Sequence, residues 1–519
     1  MLSLRQFGFE NLMNPSAPSS LHKSKFVRIP IEISLQIQNL LAIPLVRRAL
    51  ACFGVFAVSA LLILPNLGFP RGIVFDEAYY ITHAQKYLNG VFFEQTHPPL
   101  GKLLIAAGER WLHPHAPADE FVDVEAVTQP WPTDLDITGY RLMPAVLGML
   151  NPVIVFFILA MILGNEWFAL VISMFVAFDN ALILESRTAL LDSTLIFFIL
   201  ASVLAFVYLM RMPHRRLAAF VGLSAVFGAM AACAADVKLS GFVVFTLAGF
   251  LGLRLLWSRQ IRRFIVFILV FGGVFAVTYL GIWQIHFAIA QKFDPSHNYG
   301  ISVAQQRILE GIDHPDPVTR FIVQFKDATN YEITTGITKI GRLDLGNMGI
   351  GSPWYWWLVG GRTINFRHAK DNGQDYSYST LIGNPVTWLI SLLGVVLGTG
   401  LVLTDLLFRF LPRGQRLWVY VFVLLYWAYM IPFIVTQRIT YLHHYLPALL
   451  IGIILFGIML WQTRTVAWIH KRDFLVIATI LLVFAFWAYS PFTYAEPLTI
   501  YQFQQRNIWP AWDLKCFGC

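Results

Sequence analysis

The sequence predicts an all-α polytopic membrane protein, and three observations support this fold class. Hydrophobic residues make up 57% of the 519 residues and charged residues only 13%, whereas a soluble domain usually carries about 25% charged residues. Apolar runs of about 20 residues, the length that crosses a bilayer as a helix, recur along the chain. The basic residues gather on alternate connecting loops, as expected for a chain threaded through a membrane.

Eleven apolar runs predict eleven transmembrane helices. They lie near residues 49–67, 143–163, 167–184, 190–210, 217–235, 239–257, 264–289, 384–408, 417–435, 445–461 and 474–490. Two long polar segments, 68–142 and 290–383, interrupt the series. The predicted organisation is therefore an N-terminal segment over 1–48, a transmembrane domain over 49–490 and a C-terminal tail over 491–519.

The charges of the short loops predict a cytoplasmic N-terminus. The loops that then lie in the cytoplasm, 211–216, 254–263, 409–416 and 462–472, carry 3, 4, 3 and 3 Lys or Arg residues. The short turns on the opposite side carry one each, which is the asymmetry of the positive-inside rule. Both long polar segments and the C-terminal tail are then extracytoplasmic. This distribution also explains the net charge of +8 without a nucleic-acid partner.

Two adjacent carboxylates, Asp76 and Glu77, follow the first apolar run in the stretch IVFDEAYYITHAQKY. On a helix, Tyr80, His83 and Tyr87 share the face of Asp76 because of their spacing. A solvated helix end is the alternative to a functional site for this pair. The His residues of the segment match no standard spacing of metal ligands. We therefore expect no metal or other cofactor, with a divalent ion as the open alternative.

The stretch THPPLGKLLIAAGERWL predicts an amphipathic helix at the membrane surface. Its prolines suit a helix start, and it is too short to span a bilayer. Lys102 and Glu109 share one face, and the other face carries an apolar stripe of Leu100, Leu103, Leu104, Ala107 and Trp111. Such a helix lies in the interface with its apolar face towards the lipid. The resulting platform places His97 and Lys102 at the level of the headgroups.

Polar residues gather at the outer ends of the predicted membrane helices. The group comprises Arg141, Asp179, Asn180, Glu185, Arg187, Asp192, Asp236, Lys238, Arg438, His443 and His444. Because charges in a membrane domain are costly and usually functional, the group predicts a polar cavity open to the outer face. Pairing of Arg187 with Glu185 or Asp192, simply to hold two helices together, is the alternative. An Arg beside carboxylates suits a substrate that brings a phosphate and loses a proton.

A series of motifs runs from about Phe75 to Leu450 and reads, in order, VFDEAYY, HPPLGKLL, GYRLMPAVLG, ESRTALLDS, GSPWYWW, GNPVTW and HHYLPALL. This series resembles the protein O-mannosyltransferase family, which belongs to the GT-C class of membrane glycosyltransferases. The resemblance implies a GT-C fold of about eleven transmembrane helices, with interfacial helices in the first outer loop. It implies transfer of mannose from a membrane lipid, polyprenyl-phosphate-mannose, to Ser or Thr hydroxyls of exported proteins.

The same resemblance assigns roles to residues. Asp76 is expected to take the proton of the acceptor hydroxyl, with Glu77 supporting the site, and Arg141 to bind the departing lipid phosphate. Further residues expected at the phosphate are Lys102, His97 and Arg187, and other candidates for the site are Asp192, Lys238, Arg438, His443 and His444. A phosphate leaves without a general acid, so one displacement inverts the sugar and turns a β-linked donor into an α-mannoside.

Two departures from the fungal and animal members favour a prokaryotic protein of the inner (plasma) membrane. Those members carry a β-trefoil MIR domain between membrane helices seven and eight, and residues 290–383 are too few for one. The sequence also holds no Asn-x-Ser/Thr acceptor. The alternatives are another GT-C transferase that uses the same kind of lipid on an envelope lipid or glycan, and a transporter.

The terminal CFGC lacks the second Cys pair of a zinc site, so an incidental or disulfide-forming tail is expected. The oligomeric state is not predicted.

Overall fold

The structure, a computed structural model of the chain, describes residues 43–114, 136–213, 216–294, 299–335, 349–370, 375–409, 411–463, 467–517 and 519. The predicted N-terminal segment over 1–48 lies outside the described residues up to residue 42. Parts of the two outer loops and of three predicted cytoplasmic loops also lie outside them.

Helices account for most of the described chain. Its first half contains α1 (Pro44–Ile63), α2 (Glu77–Asn89), α3 (Leu100–Leu112), α4 (Thr138–Leu163), α5 (Glu166–Ala177), α6 (Asn180–Ser186), α7 (Asp192–Arg211), α8 (Leu217–Val237), a 3-10 turn (Leu239–Val244), α9 (Phe245–Trp257) and α10 (Ile261–Ile289). Its second half contains α11 (Val303–Leu309), α12 (Pro317–Thr334), α13 (Trp354–Trp357), β1 (Ile364–Lys370), β2 (Tyr376–Leu381), α14 (Pro385–Phe408), α15 (Arg413–Val435), a 3-10 turn (Leu442–Tyr445), α16 (Leu446–Gln462), α17 (Trp468–Tyr494), β3 (Pro497–Leu498), α18 (Ile500–Arg506) and a 3-10 turn (Pro510–Trp512).

The predicted membrane spans are confirmed by the length and composition of these helices. Within the described ranges, ten helices are long and apolar enough to cross a membrane, and the bent pair α5 and α6 raises the number to as many as eleven. The central helices are α4, α7 and α16, which are mostly buried within the bundle. Between α14 and α16, a Cβ on Gly394 would lie 2.2 Å from the carbonyl oxygen of Gly452. Glycine therefore permits the close backbone approach that is common between membrane helices.

The third predicted span is bent rather than straight. Its two parts, α5 and α6, meet at an angle of 69°, where Asp179 adopts an extended conformation and caps α6 by accepting a hydrogen bond from Leu182 N at 3.0 Å. The other carboxylate oxygen of Asp179 accepts hydrogen bonds from Asn384 N at 3.0 Å and Trp388 Nε1 at 3.1 Å. The span predicted near 167–184 is therefore built from two helices, because these capping groups end α5 and start α6.

The short helix predicted over this stretch is present as α3, and its polar face lies against the protein. Lys102 and Glu109 are buried, whereas Trp111 is 75% exposed. The contact with α4 is tight, since a Cβ on Gly108 would lie 2.6 Å from the Gly139 carbonyl oxygen. Of the apolar stripe, Ala107 and Trp111 face outwards, whereas Leu100, Leu103 and Leu104 pack partly against the core.

The second outer loop contributes a small antiparallel sheet that the sequence analysis did not predict. Its strand order is β1-β2-β3, with Ile364 opposite Leu381 and a bulge between Asn365 and Arg367. β3 belongs to the C-terminal tail, so the tail and the second outer loop form one unit. The tail ends in a disulfide between Cys516 and Cys519, which confirms the disulfide alternative for CFGC.

Candidate functional site

Asp76 begins α2 on a backbone that the second outer loop holds in place. The preceding residue, Phe75, has a φ of 46°, a conformation that costs a non-glycine residue free energy and often marks a functional site. Phe75 N donates a hydrogen bond to the Phe366 carbonyl at 3.2 Å, and the two rings stack with centroids 4.6 Å apart. The bulged strand β1 therefore fixes the turn that presents Asp76.

The Asp76 carboxyl is partly buried and lies among charged groups. It does not cap α2 with a hydrogen bond. Burial raises its pKa to about 6, with Lys238 lowering and Asp192 raising the value. Lys238 and Asp192 form an ion pair of 2.7 Å between Nζ and Oδ2. Asp76 therefore lies in the field of a buried pair, with a pKa suited to a general base near neutral pH.

Glu77 has a different environment and forms a fully buried ion pair with Arg141. The Arg141 Nε donates to Oε1 at 2.7 Å and Nη2 to Oε2 at 2.8 Å. Val74 N donates to Oε2 at 3.0 Å, and Ala189 N donates to Oε1 at 2.7 Å. Glu77 therefore ties the turn before α2 to α4 and to the chain after α6.

The guanidinium of Arg141 has no N–H group left for a phosphate in this arrangement. Besides the pair with Glu77, it donates to the carbonyls of Leu67 at 3.1 Å, Pro70 at 3.3 Å and Gly72 at 3.5 Å. Its side chain is 0% exposed. The geometry thus corrects the expectation that Arg141 contacts the lipid phosphate directly, because all five donors are used within the protein.

Arg187 is also occupied by backbone groups. It donates to the carbonyls of Ile63 at 2.6 Å, Pro65 at 2.8 Å and Asn66 at 2.9 Å, and its guanidinium carbon lies 5.0 Å from the centre of the Tyr494 ring. The pairing with Glu185 or Asp192 is not among these contacts, and the phosphate role of Arg187 stays a prediction. Arg187 instead satisfies carbonyls at the outer end of α1, which a helix end leaves without partners.

His97 marks a place where several predicted site residues meet. Its pKa is held well below the ordinary value by burial and by the cations Lys238, Lys102 and Arg438, with His444 acting in the same direction. Lys102 Nζ donates a hydrogen bond to the His97 carbonyl. Burial lowers the pKa of Lys102 to about 7, opposed by Glu332 of α12. The structure therefore gathers basic groups from α3, the chain after α8 and the chain before α16.

His443 and His444 lie on the side of this region formed by the last 3-10 turn before α16. The ring of His443 meets the ring of Phe75 edge-on at 5.9 Å and lies 4.4 Å from that of His444. Tyr441 N donates to Nδ1 of His444 at 3.0 Å. Asp76 helps raise the pKa of the nearby Tyr441 phenol, although burial is the larger cause. The turn thus borders the Asp76 site.

Sequence reasoning missed one residue of this region and gave a second no role of its own. Phe366 holds Phe75, and only the fold of the second outer loop brings them together. Glu185 was noticed as one charge among many, yet it is 1% exposed and both its carboxylate oxygens have no hydrogen-bond partner among the described residues. Across those same residues, no group of three His, Cys, Asp or Glu side chains is placed to hold a metal ion.

Comparisons with known proteins agree with this architecture. A family profile described as "Dolichyl-phosphate-mannose-protein mannosyltransferase" matches residues 53–294. A second, described as "C-terminal four TMM region of protein-O-mannosyltransferase", matches residues 342–512. Together the two profiles cover most of the chain and leave residues 295–341 between them.

Curated relatives match over part of their length. Protein O-mannosyltransferase 1 of Drosophila pseudoobscura pseudoobscura is 33% identical over 47% of this chain and 28% of its own length. Dolichyl-phosphate-mannose–protein mannosyltransferase 1 of Saccharomyces cerevisiae is 31% identical over 40% of this chain and 24% of its own length. The chain thus aligns with less than a third of each of these relatives.

Solved structures share the fold. The S. cerevisiae protein O-mannosyltransferase Pmt1–Pmt2 complex bound to the sugar donor matches with a TM-score of 0.77 and 16% identity, over 93% of this chain and 95% of the matched chain. The archaeal oligosaccharyltransferase AglB of Archaeoglobus fulgidus matches with a TM-score of 0.52 and 10% identity, over 87% of this chain and 56% of that one. These matches confirm the predicted GT-C architecture. The two profiles, which together match most of the chain, show that it belongs to the protein O-mannosyltransferase family.

Proposed function

We propose that this protein is an inverting mannosyltransferase that moves mannose from polyprenyl-phosphate-mannose to Ser or Thr hydroxyls of exported proteins. Its site faces the extracytoplasmic side of the inner (plasma) membrane of a prokaryote. The observation that carries the proposal is Asp76, a partly buried carboxyl with a pKa of about 6. Asp76 lies beside a group of cations, on a turn that the contact of Phe75 with Phe366 fixes.

In the proposed reaction Asp76 accepts the proton of the acceptor hydroxyl while that oxygen attacks the anomeric carbon of the sugar. The bond between this carbon and the phosphate oxygen breaks, and its electron pair leaves with the polyprenyl phosphate. The departing phosphate needs positive charge rather than a proton. Attack from the face opposite the phosphate inverts the configuration of the sugar.

The cations for the phosphate come, in this proposal, from Lys238, Lys102 and Arg438 rather than from Arg141. Their common influence on the pKa of His97 supports their placement around one space. Lys238 also lowers the pKa of Asp76. In this proposal the same cation therefore acts on both the phosphate and the base. Arg141 acts through Glu77 as a positioning residue, since their pair fixes the turn that carries Asp76.

The test combines purified full-length protein, polyprenyl-phosphate-mannose and a Ser/Thr peptide, with mass spectrometry of peptide and lipid. We expect mannose on the peptide with the wild-type protein. Asp76→Asn should abolish transfer and leave binding of the lipid donor intact. Asp313→Asn is the matched control, because this exposed carboxylate pairs with Arg307 in the second outer loop, and it should transfer at the wild-type rate.

Two results would contradict the proposal. Transfer by Asp76→Asn at the wild-type rate would remove the proposed base. Consumption of the lipid only when an envelope lipid or glycan is supplied would favour the related reading, a GT-C transferase with another acceptor.

A further inference from the structure

Glu185 is a buried carboxylate without a partner beside the Asp76 site. It lies in α6, is 1% exposed, and neither oxygen accepts a hydrogen bond from a described residue. Asp179, at the other end of α6, shows the usual pattern, with both oxygens bonded to N–H groups. Leaving a buried polar group unpaired costs about 1–3 kcal/mol. Such an exception in a well-packed region therefore requires a specific explanation.

The neighbours of Glu185 place it in the reaction region. The phenol of Tyr80, on α2, has a pKa raised by burial and then by the carboxylates of Asp76, Asp192 and Glu185. Four residues beyond Glu185, Ala189 N donates a hydrogen bond to Glu77, the neighbour of Asp76. The next charged residue along the chain, Arg187, is bonded to the carbonyls of Ile63, Pro65 and Asn66 and does not neutralise Glu185.

We propose that Glu185 binds the sugar ring of the lipid donor by accepting hydrogen bonds from its hydroxyl groups. This inference rests on the proposed use of a lipid-phosphate-linked sugar. Of the parts of such a molecule, the polyprenyl chain offers no hydrogen bond and the phosphate would be repelled by a carboxylate. A hexose offers several O–H donors, and the two oxygens of one carboxylate can accept from two neighbouring hydroxyls.

Other occupants fit the surroundings less well. A metal ion would need converging ligands, and no group of three His, Cys, Asp or Glu side chains meets this requirement in the part of the chain that the structure describes. The acceptor hydroxyl has a single proton, which the proposed reaction gives to Asp76. Sugar binding also explains why the protein tolerates an unpaired carboxylate, because sites built for binding commonly reduce the stability of the empty protein.

The experiment compares two lipids, polyprenyl phosphate and polyprenyl-phosphate-mannose, bound to purified full-length protein. The wild-type protein should prefer the sugar-bearing lipid. In Glu185→Gln we expect affinity for polyprenyl-phosphate-mannose to fall about 10- to 100-fold, the usual worth of hydrogen bonds to a charged group. Affinity for polyprenyl phosphate should stay at the wild-type value. Asp192→Asn is the matched control: it changes the pairing of Lys238 and should alter binding of both lipids alike.

Thermal unfolding of the lipid-free protein separates this role from a structural one. Glu185→Gln should unfold at or above the wild-type temperature, because no hydrogen bond from a described residue to this side chain is lost. A clear drop in the unfolding temperature, or an equal loss of affinity for both lipids, would overturn the inference, as would a wild-type protein with no preference between the lipids. If the wild-type protein prefers the sugar-bearing lipid but does not modify the peptide, the proposed acceptor is wrong and the sugar site stands.

Discussion

The two carboxylates at the start of α2 are neighbours in sequence with opposite surroundings. Glu77 is fully buried and accepts hydrogen bonds from Arg141, Val74 and Ala189, whereas Asp76 is partly buried and does not cap its helix. Spacing could not separate them, because two of the three partners of Glu77, Arg141 and Ala189, lie 64 and 112 residues away along the chain. The family resemblance selected Asp76 as the base, and the geometry supports the same choice for a physical reason.

The pH dependence of the reaction should report Asp76. A general base acts only when deprotonated, and the pKa of Asp76 is raised to about 6. We therefore expect kcat/KM to fall as the pH drops through about 6. Lys238 stabilises the ionised form and Asp192 opposes it, so Lys238→Met should move this fall to higher pH and Asp192→Asn to lower pH. Profiles measured with peptide and lipid donor check both shifts, and a fall at the same pH in both variants would contradict the assignment.

Arg141→Ala should act mainly on stability. It leaves the Glu77 carboxylate buried and unpaired, which typically costs about 3–5 kcal/mol. We expect a lower unfolding temperature and a lower kcat, with the affinity of the folded protein for polyprenyl phosphate close to the wild-type value. Replacing both partners, Glu77→Leu with Arg141→Met, should cost less stability than Arg141→Ala alone. A strong loss of phosphate affinity at unchanged stability would instead restore the phosphate role of Arg141.

The local sequence pattern predicted the helices, but it did not predict the joints between them. The amphipathic stripe of α3 was predictable because a helix repeats its faces every few residues. The bend between α5 and α6 was not, because the partners of Asp179 lie on α14 and the turn before it, 205 and 209 residues away. Strand β1 was missed for a related reason, since its contact with Phe75 depends on the fold of the second outer loop.

Asp179→Asn tests the joint between α6 and α14. The new amide places an NH2 group where one carboxylate oxygen accepted hydrogen bonds, opposite the N–H groups of Asn384 and Trp388. We expect a loss of about 1–3 kcal/mol in the free energy of unfolding, seen as a lower unfolding temperature in detergent. The exposed control Asp313→Asn should stay within about 0.5 kcal/mol of the wild type. Equal stability of the two variants would mean that the joint does not depend on Asp179.

Across the whole membrane domain, hydropathy predicted more than side-chain chemistry did. The predicted spans and the observed helices agree to within several residues. They agree because a membrane helix satisfies its backbone hydrogen bonds within its own apolar segment. Hydropathy could not predict which of the charged side chains at the outer helix ends contact one another. Lys238 approaches Asp192 only because α7 and α8 pack together, whereas Arg187 turns towards the end of α1.

The orientation predicted from loop charge decides whether Asp76 meets exported proteins, and single cysteines can test it. In a protein whose four cysteines are replaced by serine, Gln505→Cys lies exposed in α18 beside the outer sheet. Ser258→Cys lies exposed in the basic loop between α9 and α10. A membrane-impermeant maleimide should label Gln505→Cys in intact spheroplasts, and Ser258→Cys only after the membrane is opened. The reverse pattern would place Asp76 in the cytoplasm. There, transfer to exported proteins would have to precede their export, so this result would contradict the proposed function at its most general point.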